Sequence, residues 1–178
     1  MIDTDTLFKI QYGMYIVTSK LNDKLNGQIA TTVMQVSNDP IQLSVCLSNQ
    51  TYTHEMVQQS KVFGVSILNQ NTPMTFIGKF GYKSGRNTDK CAEVDYEQNL
   101  TGAPLIVNHA LVVLECNVVK KLNLDTHTIF VGNLLSAKKI QDGIAMTYEY
   151  YHTELKGKAP ETAPTYVKKK EKNYAICL

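Results

Sequence analysis

No apolar run in the sequence reaches the roughly 20 residues a membrane helix requires, and the first residues lack a charged stretch followed by an apolar one, so neither a membrane span nor a secretory leader is expected. Cysteine is sparse. Cys46, Cys91, Cys116 and Cys177 are scattered, with no CxxC pair and no histidine at metal-ligand spacing. That argues against a zinc site or a disulfide scaffold and favours free thiols in a reducing, cytoplasmic compartment. An excess of either charge is also lacking: the net charge is +2 and the positives are dispersed, apart from Lys168, Lys169, Lys170 and Lys172. So mild a balance does not suggest a nucleic-acid partner, and the lysine run reads as a solvated tail before a binding patch. A GxGxxG following a strand is missing, so a Rossmann-type nicotinamide site is not expected. Repeats and low-complexity blocks are absent up to about residue 156.

With 178 residues, 43% hydrophobic and 19% charged, the chain is long enough for one full core and short for two. Strand signals dominate. The segments 12–19, 30–37, 41–48, 62–68, 111–124 and 128–140 are rich in Val, Ile, Thr and Tyr and bounded by Gly, Asn, Asp or Pro. In 41–48, Ile41, Leu43, Val45 and Leu47 alternate with Gln42, Ser44, Cys46 and Ser48, which gives one buried face and one polar face able to line a site. Helices are expected at the first ten residues, at 51–60 with Thr51 or Thr53 as cap, and at 72–81 with Thr72 as cap and Pro73 at the first helical position. Many strands with few helices point to a closed β-barrel, which removes exposed edges.

Four stretches carry candidate chemistry. In "FGYKSGRNTDK" (80–90), Ser84, Gly85, Arg86 and Lys90 offer a hydroxyl, a permissive backbone and two cations, a set suited to phosphate. The same residues also read as a polar loop with Arg86 paired to Asp89 or Glu93. In "NGQIATTVMQVSNDP" (26–40), Thr31 and Thr32 enter a strand on opposite faces after Gly27 and suit the dicarbonyl edge of a flavin, although β-branched threonines also simply favour strands. "SNQTYTH" (48–54) runs from a strand end into a helix N-terminus, where an anion or plain capping is served equally. In "LDTHTIFVGN" (124–133), His127 stands at the mouth of an apolar strand, either as a structural histidine or as a group that positions a dinucleotide or donates a proton. His54 and His109 read as structural or capping residues and His152 as exposed.

Taken together, these blocks with "TGAPLI", "LECNVV" and "THTIFVGNLLSA" resemble, in order and spacing from about residue 5 to 151, the flavin reductase family with the FMN-binding split β-barrel fold. That fold is mostly β with a few helices and Greek-key-like. Flavoredoxin and the flavin domain of high-molecular-weight rubredoxin are the nearest resemblance, extending into "MTYEYYHTELKGKAPETAPTY" (146–166). The resemblance implies ring and ribityl contacts from Gln28, Ala30, Thr31 and Thr32, and ribityl or phosphate contacts from Asn49, Gln50, Thr53 and His54. It implies phosphate at Ser84, Arg86 and Lys90, and His127 as the catalytic residue near the flavin; the family's Gly two residues before this histidine is Asp125 here.

The activity it implies is hydride transfer from NADH or NADPH to N5 of bound FMN, with electrons passed on to free flavin or a redox protein; an FMN electron carrier without NAD(P)H activity is the alternative. No metal is implied, because Cys177 alone cannot make a four-thiolate iron site, so a rubredoxin would be a separate partner. The resemblance also implies a homodimer with flavin sites near the interface. Residues 1–151 are expected to form the flavin domain and 152–178 an extended arm. Pro160 and Pro164 stiffen that arm, which could wrap over the partner subunit with Lys156 or Lys158 near the phosphate, or remain a linker.

Overall fold

The computed structural model describes residues 3–166; the lysine run at 168–172 and Cys177 lie outside the described residues. A 3-10 turn, Thr4–Lys9, takes the place of the expected first helix. A hairpin follows, of β1 (Tyr15–Leu21) and β2 (Lys24–Ala30), turned at Asn22 with φ 53°, a left-handed conformation that Asn tolerates well. Next come β3 (Val33–Asn38), β4 (Ile41–Ser48), α1 (Tyr52–Ser60), β5 (Val62–Leu68) and α2 (Met74–Gly81). Short β6 (Tyr96–Glu97) and β7 (Leu105–Ile106) form a two-stranded ribbon, and the long hairpin of β8 (Ala110–Asn123) and β9 (His127–Lys139) leads to α3 (Tyr148–Thr153).

The large sheet is antiparallel throughout, in the order β2-β1-β5-β8-β9-β4-β3. The chain crosses from β4 through α1 to β5, on the other side of the β8–β9 hairpin, which makes the order Greek-key-like. The sheet does not close. Its edges, β2 and β3, are joined through Thr31 and Thr32 without pairing to one another, so the closed barrel suggested by the strand pattern is corrected to an open one split at this corner. The single strand expected over 30–37 is likewise two elements. Thr31 and Thr32 lie in the bend rather than on opposite faces of a strand, and Thr32 ends the ladder by accepting at its carbonyl from Cys46 N, 3.1 Å.

Two apolar clusters hold the sheet in shape. Val17, Val45, Leu47, Phe63, Val65 and Phe130 fill the curl of the sheet against Val57 of α1. Met14, Ile16, Leu68, Ile77, Phe80 and Met146 pack α2 and the α3 tyrosines on the other side. Leu43, Val45 and Leu47 of β4 are buried as their alternation requires, whereas Ile41 at the strand's start is exposed. At α2 the cap is Pro73, whose extended conformation delays the helix by one residue, and the Thr72 hydroxyl donates to Asn69 O instead, 2.6 Å. α1 is capped by Thr51, whose hydroxyl accepts from His54 N.

Candidate functional site

The split leaves a cavity of about 300 Å³ between the open end of β2, the start of α1, the loop after α2, and the segment that follows α3. Residues of one strand face recur every second position, so β2 presents Asn26, Gln28 and Ala30 to it in a row. β4 adds Cys46 and Ser48 from the face opposite its apolar residues, as the alternation in 41–48 predicts. Met14, Ile77 and Phe80 give the cavity an apolar floor. Three buried polar atoms in its lining have no hydrogen-bond partner among the described residues: Asn26 Oδ1, Gln28 Oε1 and Thr31 Oγ1.

Near Asn26 the cavity changes character. The Asn26 amide donates to Thr53 Oγ1 (2.9 Å), and a Cβ at Gly85 would collide with the Asn26 side chain, so the loop at 84–85 reaches the strand only because residue 85 is glycine. Lys90 is buried beneath this loop, its Nζ donating to the carbonyls of Gly27 (3.0 Å) and Phe80 (3.1 Å). Burial holds its pKa down to about 8. Among the described residues its third proton has no acceptor. Among the described residues, Lys83, Lys90 and Lys158 line the cavity and no carboxylate does. The N-terminus of α1, with its free backbone N–H groups, adds a positive dipole end through Thr51, Tyr52 and Thr53.

Of the residues singled out in the sequence, Gln28, Ala30, Thr31, Gln50, Thr53, Ser84 and Lys90 converge on this cavity. Thr32, Asn49, His54 and Arg86 do not line it. The Thr32 hydroxyl donates to Cys46 O, 3.2 Å. Arg86 pairs with Glu55 at 2.7 Å, not with Asp89 or Glu93, and its guanidinium stacks 5.0 Å from the Tyr52 ring centroid.

Asn49 and His54 brace the site from behind. His54 Nε2–H donates to Thr128 Oγ1 (2.9 Å), which donates to Asn49 Oδ1 (2.8 Å), while Asn49 N donates to Thr126 O (3.0 Å). This relay ties α1 to the β8–β9 turn. Burial, with the nearby charge of Lys121, pushes the His54 pKa below its ordinary value and keeps the ring neutral as the relay's donor.

His127 lines a second, outer cavity of about 470 Å³ that shares Cys46, Ser48 and Gln50 with the first. Its Nε2–H donates to Thr162 O (3.3 Å), so Nδ1 is the acceptor for the Thr126 hydroxyl (2.8 Å). The Cys46 thiol faces both cavities, and burial raises its pKa, so it stays protonated near neutrality. His152 is half-buried rather than exposed, its Nδ1–H donating to Gly157 O.

Sequence reasoning placed Cys46 and Ser48 on a face able to line a site, but it missed Asn26, Tyr82, Tyr148 and Tyr151, all in the lining. The alternation Asn26, Gln28, Ala30 was a readable signal for the first, and the i, i+3 spacing of Tyr148 and Tyr151 for the last two. It also left open where the arm lies. Residues 158–165 fold over the cavity of their own chain, with Lys158 in its wall, while Lys156 Nζ turns back to Thr153 O.

Comparison with known proteins follows the same lines. Residues 7–158 match the family described as "Flavin reductase like domain". The ferric-chelate reductase (NAD(P)H) of Archaeoglobus fulgidus is 44% identical over 169 residues, which cover 95% of this chain and 100% of that protein. The high molecular weight rubredoxin of Moorella thermoacetica is 40% identical over 172 residues, 97% of this chain and 75% of that one. Among solved structures, an NADH:FAD oxidoreductase of Streptomyces globisporus C-1027 superposes with a TM-score of 0.67 at 25% identity, over 73% of this chain and 76% of that one. An open seven-stranded barrel, a cavity at its split and a match over most of the length agree with one another: the chain belongs to the flavin reductase-like domain family.

Proposed function

We propose that the chain holds FMN in the inner cavity and works as an NAD(P)H-dependent oxidoreductase. The observation that carries this reading is the two-ended chemistry of the cavity: partnerless buried acceptors along β2 and its corner, and lysines without a carboxylate beside the α1 N-terminus. Each buried polar atom left unpaired costs about 1–3 kcal/mol, a cost that a ligand with matching donors removes. From Asn26 to Ala30 the strand rises roughly 13 Å, a length that a tricyclic ring with a five-carbon chain and phosphate spans. The residues therefore fit the mononucleotide. When bound, the isoalloxazine supplies the redox chemistry, taking hydride from a reduced nicotinamide.

The protein's part is binding and orientation. Gln28 and Thr31 hold the polar edge of the ring, and Met14, Ile77 and Phe80 keep water from its apolar side. Ser84, Thr53 and the free proton of Lys90 receive the phosphate. His127, its tautomer set by Thr126 and Thr162, orients the nicotinamide from the outer cavity. The Archaeoglobus relative's NAD(P)H-linked name supports this choice of donor, and the rubredoxin name of the Moorella relative supports a small redox protein among the acceptors.

A homodimer and a cytoplasmic setting complete the reading. The outward face of β3, β8 and β9 carries Met34 (60% exposed) and Leu122 (57% exposed) beside Ile129 and Val131, an apolar surface suited to a second copy. Cys46, Cys91 and Cys116 are free thiols, as a reducing compartment maintains them. The enzymatic reading is tested by mixing the FMN-loaded protein with NADH or NADPH without oxygen. Rapid bleaching of the flavin band is expected with at least one of them; persistence of the colour with both overturns the reading in favour of a carrier fed by another protein.

A further inference from the structure

We infer that Tyr82 and Tyr151 clasp the segment 157–166 over the phosphate end of the inner cavity and thereby make the site select a flavin mononucleotide over a dinucleotide. This rests on the flavin reading above. The Streptomyces relative is named for FAD, so the shared fold does not itself exclude a dinucleotide, and a chain that takes FMN needs a determinant outside the common barrel.

The segment is fastened at both ends. At one end Tyr82 OH (2.7 Å) and Tyr151 OH (3.1 Å) converge on the carbonyl of Lys158, and the two phenols lie 2.9 Å from each other, so two protons serve three contacts. Gly157 lies flat on the Tyr151 ring, where a Cβ would collide with it, and its N–H donates to Tyr151 O, 2.9 Å. At the other end the Thr162 carbonyl accepts from His127, and the Thr165 hydroxyl donates to Tyr148 OH, 3.0 Å. Pro160 and Pro164 fix the backbone between them, so ordering the strap costs little entropy.

The two halves of the strap cover different parts of the cavity. Thr162, Ala163 and Pro164 also line the outer cavity with Cys46 and His127, which places them at the ring end. Lys158, Ala159 and Pro160 line the inner cavity alone, and the Lys158 carbonyl is bound to Tyr82, the neighbour in sequence of Lys83, Ser84 and Gly85. An adenylate esterified to the phosphate has to leave the cavity through this half. The cavity volume of about 300 Å³ is at the lower limit of small-molecule sites, roughly 300–1,000 Å³. A mononucleotide is bound with the clasp shut; a dinucleotide is bound only after it opens, and the hydrogen bonds at Lys158 set that penalty.

The test titrates riboflavin, FMN and FAD into the full-length chain and into the double variant Tyr82→Phe/Tyr151→Phe, following quenching of flavin fluorescence. The parent should prefer FMN to FAD. In the variant, which keeps both rings, FAD affinity should rise about tenfold as two hydrogen bonds no longer oppose opening, while riboflavin changes by less than about threefold. Gly157→Ala, which pushes the strap off Tyr151 by sterics, should move the FMN-to-FAD ratio in the same direction. A ratio unchanged in both variants, or a parent that binds FAD as tightly as FMN, overturns the clasp while leaving flavin binding intact. A parent that binds none of the three overturns the flavin reading itself along with the clasp.

Discussion

Lys90 and Arg86 are four positions apart and carry the same charge, yet the fold gives them different work. Lys90 is buried against two carbonyls with no carboxylate partner among the described residues, and burial lowers its pKa to about 8. Phosphate favours the protonated form. FMN affinity should therefore be full between about pH 6, where the phosphate becomes a dianion, and pH 8, and decline above that by up to about tenfold per pH unit until the pKa of the complex is reached. Riboflavin affinity should stay level over the same range, and Lys90→Met should remove the pH dependence; a riboflavin curve that parallels the FMN curve contradicts the assignment.

Arg86 is half-exposed and already paired with Glu55. An exposed pair contributes about 0–1 kcal/mol, so Arg86→Ala should cost about fivefold or less in FMN affinity. Adding Glu55→Gln should restore most of that, because Arg86 acts by neutralising a carboxylate on the first turn of α1. A large loss that Glu55→Gln leaves in place would show a direct phosphate contact instead.

His54 gives a third test at this scale, on stability. Its folded pKa lies below the unfolded value of about 6.5. The sign follows from which state binds more protons: below about pH 6.5 the unfolded chain does, so stability from the neutral ring is present above that pH and is lost as pH falls. His54→Gln should flatten the acid limb of the melting temperature against pH, and an unchanged limb would show that the ring does not control it. Type and spacing made Ser84, Thr53 and Lys90 legible as phosphate candidates; the Arg86–Glu55 pair was not, since it joins residues from two elements whose approach is tertiary.

The elements that build the site were legible to different degrees. β4, β5, β8 and β9 declare themselves by β-branched runs and alternation, and α1 by its threonine cap, all within a residue or two of their bounds. β2 was missed because "KLNGQIA" has a glycine and two polar amides where a strand signal wants β-branched residues; pairing with β1 overrides that weakness. Those same amides are what the cavity uses. Threonine carries a strand signal even in the two-residue bend at Thr31 and Thr32, and only the open edge of the sheet shows why the chain turns there. The loop after α2 must touch this strand at Gly85. Gly85→Ala should force the Asn26 amide aside, cost about 1–3 kcal/mol of stability as overpacking does, and weaken FMN more than riboflavin; thermal melts with and without each flavin measure both effects.

At the scale of the whole molecule, the split of the barrel is what joins fold to function. The sequence pattern predicts many strands and hence closure, but closure depends on whether the terminal strands of the ladder meet, which no local signal encodes. Here they stop short, and the gap becomes the cavity roofed by residues 158–165. The apolar outer face with Met34 and Leu122 belongs to the same sheet. A charge there, as in Leu122→Lys, should turn the proposed dimer into a monomer in sedimentation experiments with little change in melting temperature; a parent that is monomeric at micromolar concentration would contradict the assembly.

The most direct measurement is a crystal structure of the full-length protein grown with FMN. The account predicts density for one mononucleotide per chain at the split, its polar ring edge on Gln28 and Thr31 and its phosphate beside Lys90 under the Tyr82–Tyr151 clasp. Density at another place on the chain, or the inner cavity filled by protein side chains in saturating FMN, would contradict it.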